Sequence, residues 1–378
     1  MKVLSRLVPA IGVGMLAMTA LAAPAFASTG AKAADSRDTG AVFVQTDNTA
    51  GNAVVAYHRA SDGTLTLAGT YPTGGSGGIL SGSVVDHLAS QGSLTYDDEH
   101  GLLFAVNAGS DTVSVFGVFG DRLELRQVIG SGGVFPVSVT VHGNHAYVLD
   151  ALGGGTLYGY RIADGHLTPI PGSSRGLGLN PNATPQFTTT PGQVAYTPDG
   201  SRILVTTKGN GNDVDVFAVR PDGRLSRSPV VNSEPGAVPF AISFDRAGHV
   251  LIAEAGPSAL ATFALPAGGV LTQLAIADTG QAATCWVARA GQYFYTSNAG
   301  SGSVSGYTVD GAGQLTGLGN TKTDAGTVDA SAAGGFLYVQ AGAAGIVDEF
   351  AVGAGGALTS LGSVTVAGAA GGEGIVAL

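Results

Sequence analysis

Charged side chains and cysteine are both scarce in this chain of 378 residues. Asp, Glu, Lys and Arg make up 12% of it, and Cys285 is its single cysteine. One cysteine excludes an intramolecular disulfide, so the fold has to be stabilised by a large buried core. Cys285 lies in the apolar run 284–288, where we interpret it as a packing residue rather than a nucleophile.

Helical periodicity is also missing, and so are the common catalytic and cofactor motifs. The chain has no G-x-S-x-G elbow and no phosphate loop, and its seven histidines are not spaced as a metal-ligand set. We therefore expect no metal site and no cofactor. The formal net charge of −10 argues against nucleic acid and anionic membrane surfaces as partners.

The first 27 residues have the pattern of a secretory signal peptide. Lys2 and Arg6 precede an apolar stretch, and Ala25-Phe26-Ala27 is typical of a cleavage site. Residues 28–40 are predicted to be a flexible leader. No later stretch is apolar enough over the length that crosses a bilayer, so we expect a secreted, extracellular protein without a membrane span.

Glycine is abundant, with 61 residues, and it takes part in an internal repeat. Each unit has a strand that ends in an aromatic residue, and a leucine follows that residue seven or eight positions later. Six of the seven leucines have a glycine two positions before them. The aromatic residues are Tyr57, Phe116, Tyr160, Phe217, Phe263, Tyr307 and Phe350, and the leucines are Leu65, Leu123, Leu167, Leu225, Leu271, Leu315 and Leu358.

Seven units of four short strands predict an all-β fold, a seven-bladed β-propeller over residues 41–378. The segment 41–44 matches the second strands of the other units and has no inner strand before it. The segment 373–378 matches an inner strand. We therefore predict that the C-terminal strand completes the first blade, because this pairing removes an exposed sheet edge. We expect the propeller to be a monomer.

Several blade-forming segments resemble the seven-bladed β-propeller lactonase family, which includes 6-phosphogluconolactonase-like and carboxymuconate-cyclase-like proteins. The resemblance rests on segments 194–200, 104–116 and 336–339 and covers nearly the whole chain after the signal. It implies the propeller fold, and it implies lactone chemistry as an expectation. These motifs form blades and carry no catalytic groups themselves.

The resemblance also shows where the family's catalytic motifs would lie. A P-H-x-H-type run is replaced by Thr190-Pro191-Gly192-Gln193, and an R-H pair by Pro239-Phe240-Ala241. A following N-E-L motif is replaced by Glu254-Ala255-Gly256. The family's catalytic residues are therefore not retained here, and its chemistry does not transfer residue by residue.

Two long insertions, near residues 72–91 and 171–191, are predicted to lie on one face of the propeller at the channel mouth. We predict His87, Lys208 and Glu254 as catalytic residues. A carboxylate near His87 would act as general base, and Lys208 would stabilise an oxyanion. The predicted ligand-binding residues are Asp86, Gln91, Asp150, Gln186, Gln193, Glu234 and Glu373.

Two functions remain open from the sequence. The first is hydrolysis or isomerisation of a small lactone or related acid at this mouth. The second is a non-catalytic propeller that binds a small molecule or another extracellular ligand on the same face. The missing histidines favour the second function, and the two insertions are compatible with both.

Overall fold

The computed structural model describes residues 39–378, which form seven antiparallel sheets. The predicted seven-bladed, all-β propeller is confirmed. The predicted signal peptide lies outside the described residues, and so does the predicted leader except for its last two residues.

The strands follow the chain blade by blade. Blade 1 contains β1 (Gly40–Gln45), β2 (Ala53–Arg59) and β3 (Leu65–Pro72); blade 2 contains β4 (Leu94–Asp97), β5 (Leu102–Asn107), β6 (Thr112–Phe119) and β7 (Arg122–Gly130). Blade 3 contains β8 (Pro136–His142), β9 (His145–Asp150), β10 (Thr156–Ala163), β11 (His166–Pro169) and the short β12 (Arg175–Gly176). Blade 4 contains β13 (Val194–Tyr196), β14 (Arg202–Thr206), β15 (Asp213–Ala218) and β16 (Val230–Ser233).

The remaining blades have the same order. Blade 5 contains β17 (Pro239–Phe244), β18 (Val250–Glu254), β19 (Ala259–Ala264) and β20 (Thr272–Asp278); blade 6 contains β21 (Thr284–Ala290), β22 (Tyr293–Asn298), β23 (Ser303–Val309) and β24 (Leu315–Lys322). Blade 7 contains β25 (Thr327–Ala333), β26 (Phe336–Ala341), β27 (Ile346–Val352) and β28 (Leu358–Thr365), and β29 (Ile375–Ala377) returns to blade 1. The short helices are α1 (Gln186–Thr189) and α2 (Lys208–Gly211), and 3-10 turns lie at Ala108–Ser110 and Ala354–Gly356.

Burial differs between the middle and the outer strands of a blade. All six residues of β5 are buried, whereas most of β7 is at least partly exposed. Middle strands are covered on both faces because neighbouring blades pack against each other. This explains why the sequence has short apolar runs at the second strands and few charged residues within them.

The glycine that precedes the leucine in most units has a specific role at the blade interface. At Gly63 the backbone has φ +91°, and an added Cβ would collide with the ring of Phe336 in blade 7. Only glycine adopts this conformation without strain. Its carbonyl accepts a hydrogen bond from a tyrosine of the preceding blade; such bonds join Tyr147 to Gly223, Tyr295 to Gly356 and Tyr338 to Gly63.

The ring is closed by β29, as predicted. Val42, Phe43 and Val44 of β1 pair with the three residues of β29, from Ala377 back to Ile375. The closing strand is buried between blades 7 and 2. The first and last strands of the described chain therefore belong to one sheet.

We expect a chain that ends at Gly371 to lose cooperative thermal unfolding. It would lack Ile375 and Val376, whose burial stabilises the fold by about 1.5–3 kcal/mol each. It would also expose the inner edge of β1. Differential scanning calorimetry measures this, with a chain ending at Ala377 as the control. An unchanged melting midpoint for the shorter chain would refute the closing role of β29.

Candidate functional site

The first insertion crosses the mouth of the central channel. It comprises residues 73–93 between β3 and β4, and we call it the plug. Ser90 Oγ donates to Val137 O of blade 3 at 2.9 Å, and Gln91 N donates to Gly192 O beside blade 4 at 3.1 Å. On the far side, Trp286 Nε1 of blade 6 donates to Ser90 O at 2.7 Å. The plug is therefore bonded to inner strands or their connections around the channel.

A single buried lysine ties the plug to the second insertion, residues 170–193. Lys208 Nζ donates to Ala89 O at 2.6 Å, to Phe187 O at 2.9 Å and to Thr190 Oγ1 at 3.2 Å. The side chain is 1% exposed, and Nζ lies 5.2 Å from the ring centroid of Phe240. An ammonium has three N–H donors, and all three are used here. Lys208 therefore acts as a clamp between the two insertions.

The two insertions roof a cavity of about 520 Å³ above blades 4, 5 and 6, which we call the roofed pocket. Val84 and Phe187 come from the insertions, and Val238, Phe240 and Trp286 come from the blades. The rings of Phe240 and Trp286 meet edge to face, with centroids 5.0 Å apart. A cavity of this size with mainly apolar walls is typical of a small-molecule site.

Asp86 is the carboxylate in the wall of the roofed pocket. Leu88 N donates to its Oδ1 at 2.8 Å, and Ser90 N donates to its Oδ2 at 3.0 Å. Burial raises the pKa of Asp86 to about 6, although these hydrogen bonds and the charge of Lys208 act in the opposite direction. Asp86 is therefore an ionised base at neutral pH.

Lys208 and Cys285 are the other ionisable groups in this wall. Burial lowers the pKa of Lys208 to about 7, and attraction to Asp86 partly compensates. Burial raises the pKa of the Cys285 thiol to about 12. A thiol with that pKa is protonated at neutral pH, which is consistent with a packing role for Cys285.

Further carboxyl groups are buried beneath the plug. Glu373, which precedes β29, accepts a hydrogen bond from Ser90 Oγ at 3.3 Å, and its backbone N donates to Asp47 Oδ2 at 2.8 Å. Burial raises the pKa of Glu373 well above its usual value, and the charges of Asp329, Asp86 and Asp47 raise it further. Burial also raises the pKa of Asp47 and of Asp329 to about 7.

Sequence reasoning did not select Asp47 and Asp329. Asp329 is a lone acid in the buried first half of β25, and Asp47 follows β1. For Asp329, the position of an acidic residue inside an apolar strand was the sequence feature that could have indicated a buried carboxyl group. Trp286 and Phe240 were also not selected, although they form much of the pocket wall.

The three predicted catalytic residues do not all line the roofed pocket. Lys208 does, whereas His87 and Glu254 are not among the lining residues. The ring of His87 lies against Gly371, its Nδ1 makes no hydrogen bond within residues 39–378, and burial lowers its pKa. Burial raises the pKa of Glu254 to about 7, and the charge of Glu234 adds to this effect.

The side chains of the predicted glutamine ligands make hydrogen bonds that join separate parts of the fold. Gln91 Oε1 accepts from Val287 N at 3.0 Å, and its Nε2 donates to Val287 O at 3.2 Å. Gln193 Oε1 accepts from Ile242 N at 2.6 Å, which joins blades 4 and 5. Gln186 links the second insertion to the plug by accepting from the backbone N of residue 81 at 2.9 Å.

Asp150 at the end of β9 is fully buried, away from the pocket wall. Its carboxylate oxygens make no hydrogen bond in the described part of the chain, and burial raises its pKa to about 7. The structure thus brings together Asp86 and Lys208 at the roofed pocket, with Glu373 beneath the plug. Their individual roles in binding or catalysis remain predictions.

Residues 39–378 contain no group of three His, Cys, Asp or Glu side chains arranged to hold a metal ion. The helices in this range are all too short or too polar to cross a membrane.

A comparison with models of known protein families agrees with the propeller fold. The model of the lactonase family, described as "Lactonase, 7-bladed beta-propeller", matches residues 76–371. The chain belongs to this family. The resemblance inferred from the blade motifs is thereby confirmed. A comparison with functionally curated sequences gave no match.

Solved structures of other proteins have the same fold. A periplasmic gluconolactonase from Pseudomonas aeruginosa has 19% identity and a TM-score of 0.72, over 90% of this chain and 99% of that one. A candidate 6-phosphogluconolactonase from Bacteroides fragilis has 19% identity and a TM-score of 0.70, over 90% and 98%. Virginiamycin B lyase from Staphylococcus aureus has 12% identity and a TM-score of 0.53, over 76% and 89%. Similarity at these identities shows a shared fold.

Phe240 and Gly256, from two of the segments where the resemblance places family motifs, line the roofed pocket of this lactonase-family chain, whereas Thr190 of the third segment does not. Thr190 accepts a hydrogen bond from Lys208, while Phe240 and Gly256 line the cavity. The residues that line the pocket include no histidine or arginine, and Asp86 is their carboxylate.

We expect this lactonase-family propeller to become less stable as the pH rises from about 4 to about 7. The raised pKa values of Asp47, Asp329 and Glu373 mean that the folded state binds more protons than the unfolded state in this window. Unfolding free energy therefore falls as pH increases. The measurement is the thermal midpoint across this range for the wild type and for Glu373→Gln, which should show a shallower slope.

The control for this comparison is Glu124→Gln, on the exposed face of β7. His87 and His145, whose pKa values are lowered by burial, contribute a slope of opposite sign in both variants. The difference between the two glutamine variants therefore isolates Glu373. Parallel slopes for both variants would show that Glu373 is not a source of the pH dependence.

We expect Lys208→Met to reduce the free energy of unfolding by about 2–4 kcal/mol, because three buried acceptors lose their donor. Hydrogen exchange should increase in the plug and in residues 183–190. Urea unfolding and hydrogen-exchange mass spectrometry measure these effects. The control is Lys322→Met, since Lys322 is exposed at the end of β24. Equal stability of the two variants would contradict the clamp.

Proposed function

We propose that this chain binds a lactone in the roofed pocket and opens its ring by hydrolysis. The observation that carries this proposal is Asp86, a buried carboxylate that lines the pocket and has a pKa of about 6. Family membership and the names of two structural neighbours, a gluconolactonase and a candidate 6-phosphogluconolactonase, support lactones as the substrate class.

In this mechanism Asp86 accepts a proton from water while the water oxygen bonds to the lactone carbonyl carbon. The carbonyl electron pair moves to oxygen and forms a tetrahedral intermediate. When that pair returns, the bond between the carbonyl carbon and the ring oxygen breaks, and the protonated Asp86 gives its proton to the ring oxygen. One lactone and one water thus give one hydroxy acid.

Lys208 has an electrostatic role in this proposal. Its three N–H groups are bonded to the two insertions, so it does not donate directly to the intermediate. In its protonated form, Lys208 places a positive charge in the wall of a mainly apolar pocket, and this charge favours the developing oxyanion. The N-terminal pattern supports export, which would place the reaction outside the cytoplasm.

Non-catalytic binding is the second candidate. It is favoured by the positions of His87 and Glu254, which do not line the pocket, and by the complete use of the Lys208 donors. In that case the roofed pocket would hold its ligand without activating water.

We expect wild-type protein to hydrolyse members of a lactone panel, with a rate that falls as pH drops below about 6 because Asp86 must be ionised. Asp86→Asn should lower kcat by about 10²–10⁴-fold. Trp286 is the chain's single tryptophan and lines the pocket, so its fluorescence reports binding separately from turnover.

The control is Asp98→Asn, since Asp98 is exposed and lies away from the pocket. Circular dichroism verifies that both variants are folded. A change in Trp286 fluorescence with only background hydrolysis would favour the non-catalytic candidate. If no lactone of the panel changes the Trp286 fluorescence and none is hydrolysed, the proposed lactone hydrolysis is refuted.

A further inference from the structure

We infer that the roofed pocket selects an uncharged lactone with an alkyl or aryl substituent and rejects phosphorylated or polyhydroxylated sugar lactones. This inference rests on the proposed function, because it names the substrate class of the same pocket. Three observations support it: the hydrogen-bond donors of the wall side chains are already used, the wall has no free cation for an anionic ligand, and aromatic side chains enclose the cavity.

The hydrogen-bond donors of the polar side chains in the wall are already used within the protein. Lys208 has its three bonds to the insertions. The hydroxyl of Ser83 donates to Asp86 O, and Thr188 Oγ1 and Thr189 Oγ1 donate to Pro185 O at 3.2 and 2.9 Å. A sugar lactone would lose its hydrogen bonds to water here and gain few from side chains, which disfavours its burial.

The wall also gives a phosphorylated ligand no net electrostatic attraction, because its one cation, Lys208, is accompanied by the carboxylate of Asp86. Asp86 is ionised at neutral pH and repels an anion, and the formal net charge of the chain is −10. Phosphate recognition in proteins relies on cationic side chains or backbone N–H groups that are free to donate. The one cation in this wall has no donor left for a phosphate oxygen.

The apolar groups, in contrast, are placed to receive a substituent. Phe187, Phe240 and Trp286 enclose the cavity from the second insertion and from blades 5 and 6. Val84 stands at the rim of the plug with 79% of its surface exposed, where an entering apolar chain would cover it. Burial of an alkyl or aryl group against these side chains releases apolar surface from water on both partners.

The test compares γ-nonalactone, which carries an alkyl chain, with glucono-δ-lactone and 6-phosphoglucono-δ-lactone. Binding is measured by Trp286 fluorescence, excited where tyrosine does not absorb, and hydrolysis by acid release. We expect γ-nonalactone to bind with a Kd at least about tenfold below those of both sugar lactones, and to have the highest kcat/KM.

The variant Phe187→Ala tests whether the alkyl chain of the ligand contacts the aromatic wall of the roofed pocket. It should weaken γ-nonalactone binding by about tenfold and leave the weak binding of glucono-δ-lactone unchanged, and Phe187→Leu should restore much of the loss. The control is Phe119→Ala, because Phe119 is exposed at the outer edge of blade 2. Circular dichroism and thermal midpoints show whether each variant is folded.

The outcomes separate this inference from the proposed function. Tighter binding or faster hydrolysis of a sugar lactone would overturn the substrate class and leave lactone hydrolysis standing. Equal effects of Phe187→Ala and Phe119→Ala on γ-nonalactone would overturn the assigned wall. If none of the three compounds binds or is hydrolysed, while the protein is folded, the proposed function fails and this inference fails with it.

Discussion

Each blade of this propeller buries its faces only when both neighbouring blades are present, so the pairing of β29 with β1 governs the whole ring. Without it, blade 1 would lack its inner strand and two blade interfaces would lose apolar contacts. The same closing segment brings Glu373 beneath the plug, where Ser90 Oγ donates to its carboxylate. The segment that closes the ring therefore also contributes to the channel mouth, through a contact between Ser90 and Glu373, which are 283 positions apart in the sequence.

Charge in this chain is scarce, and an unusual part of it is buried at the channel mouth. Lys208 uses all its N–H groups to hold two insertions together, and Asp86 is held by backbone N–H groups of the plug itself. Buried ionised groups are costly unless they are fully bonded. In this chain their partners are mainly backbone groups, which join the two insertions over the pocket and leave its interior mainly apolar.

Some of this arrangement was predictable from sequence and some was not. The blade count followed from the spacing of aromatic, glycine and leucine residues, since each unit repeats its local pattern within a few dozen residues. The location of both insertions on one face followed from the propeller's connectivity. The sequence did not show which side chains of the insertions and blades come together at the site. His87 and Asp86 are adjacent in sequence, yet only Asp86 lines the pocket, and the ring of His87 lies against Gly371 instead.

The sequence by itself determined the all-β architecture, the seven blades, the closing strand and the lactonase family. These features rest on periodic local patterns that recur seven times and reinforce one another. Tertiary structure alone decided that Lys208 is a clamp, that Gln91 bonds the plug to β21 and that Gln193 joins blades 4 and 5. It also decided that Phe240 and Trp286 form a pocket wall. The insertions have no repeat against which to align them. Their contacts join distant residues, such as Lys208 and Ala89 at a separation of 119, and only packing in three dimensions specifies such pairs.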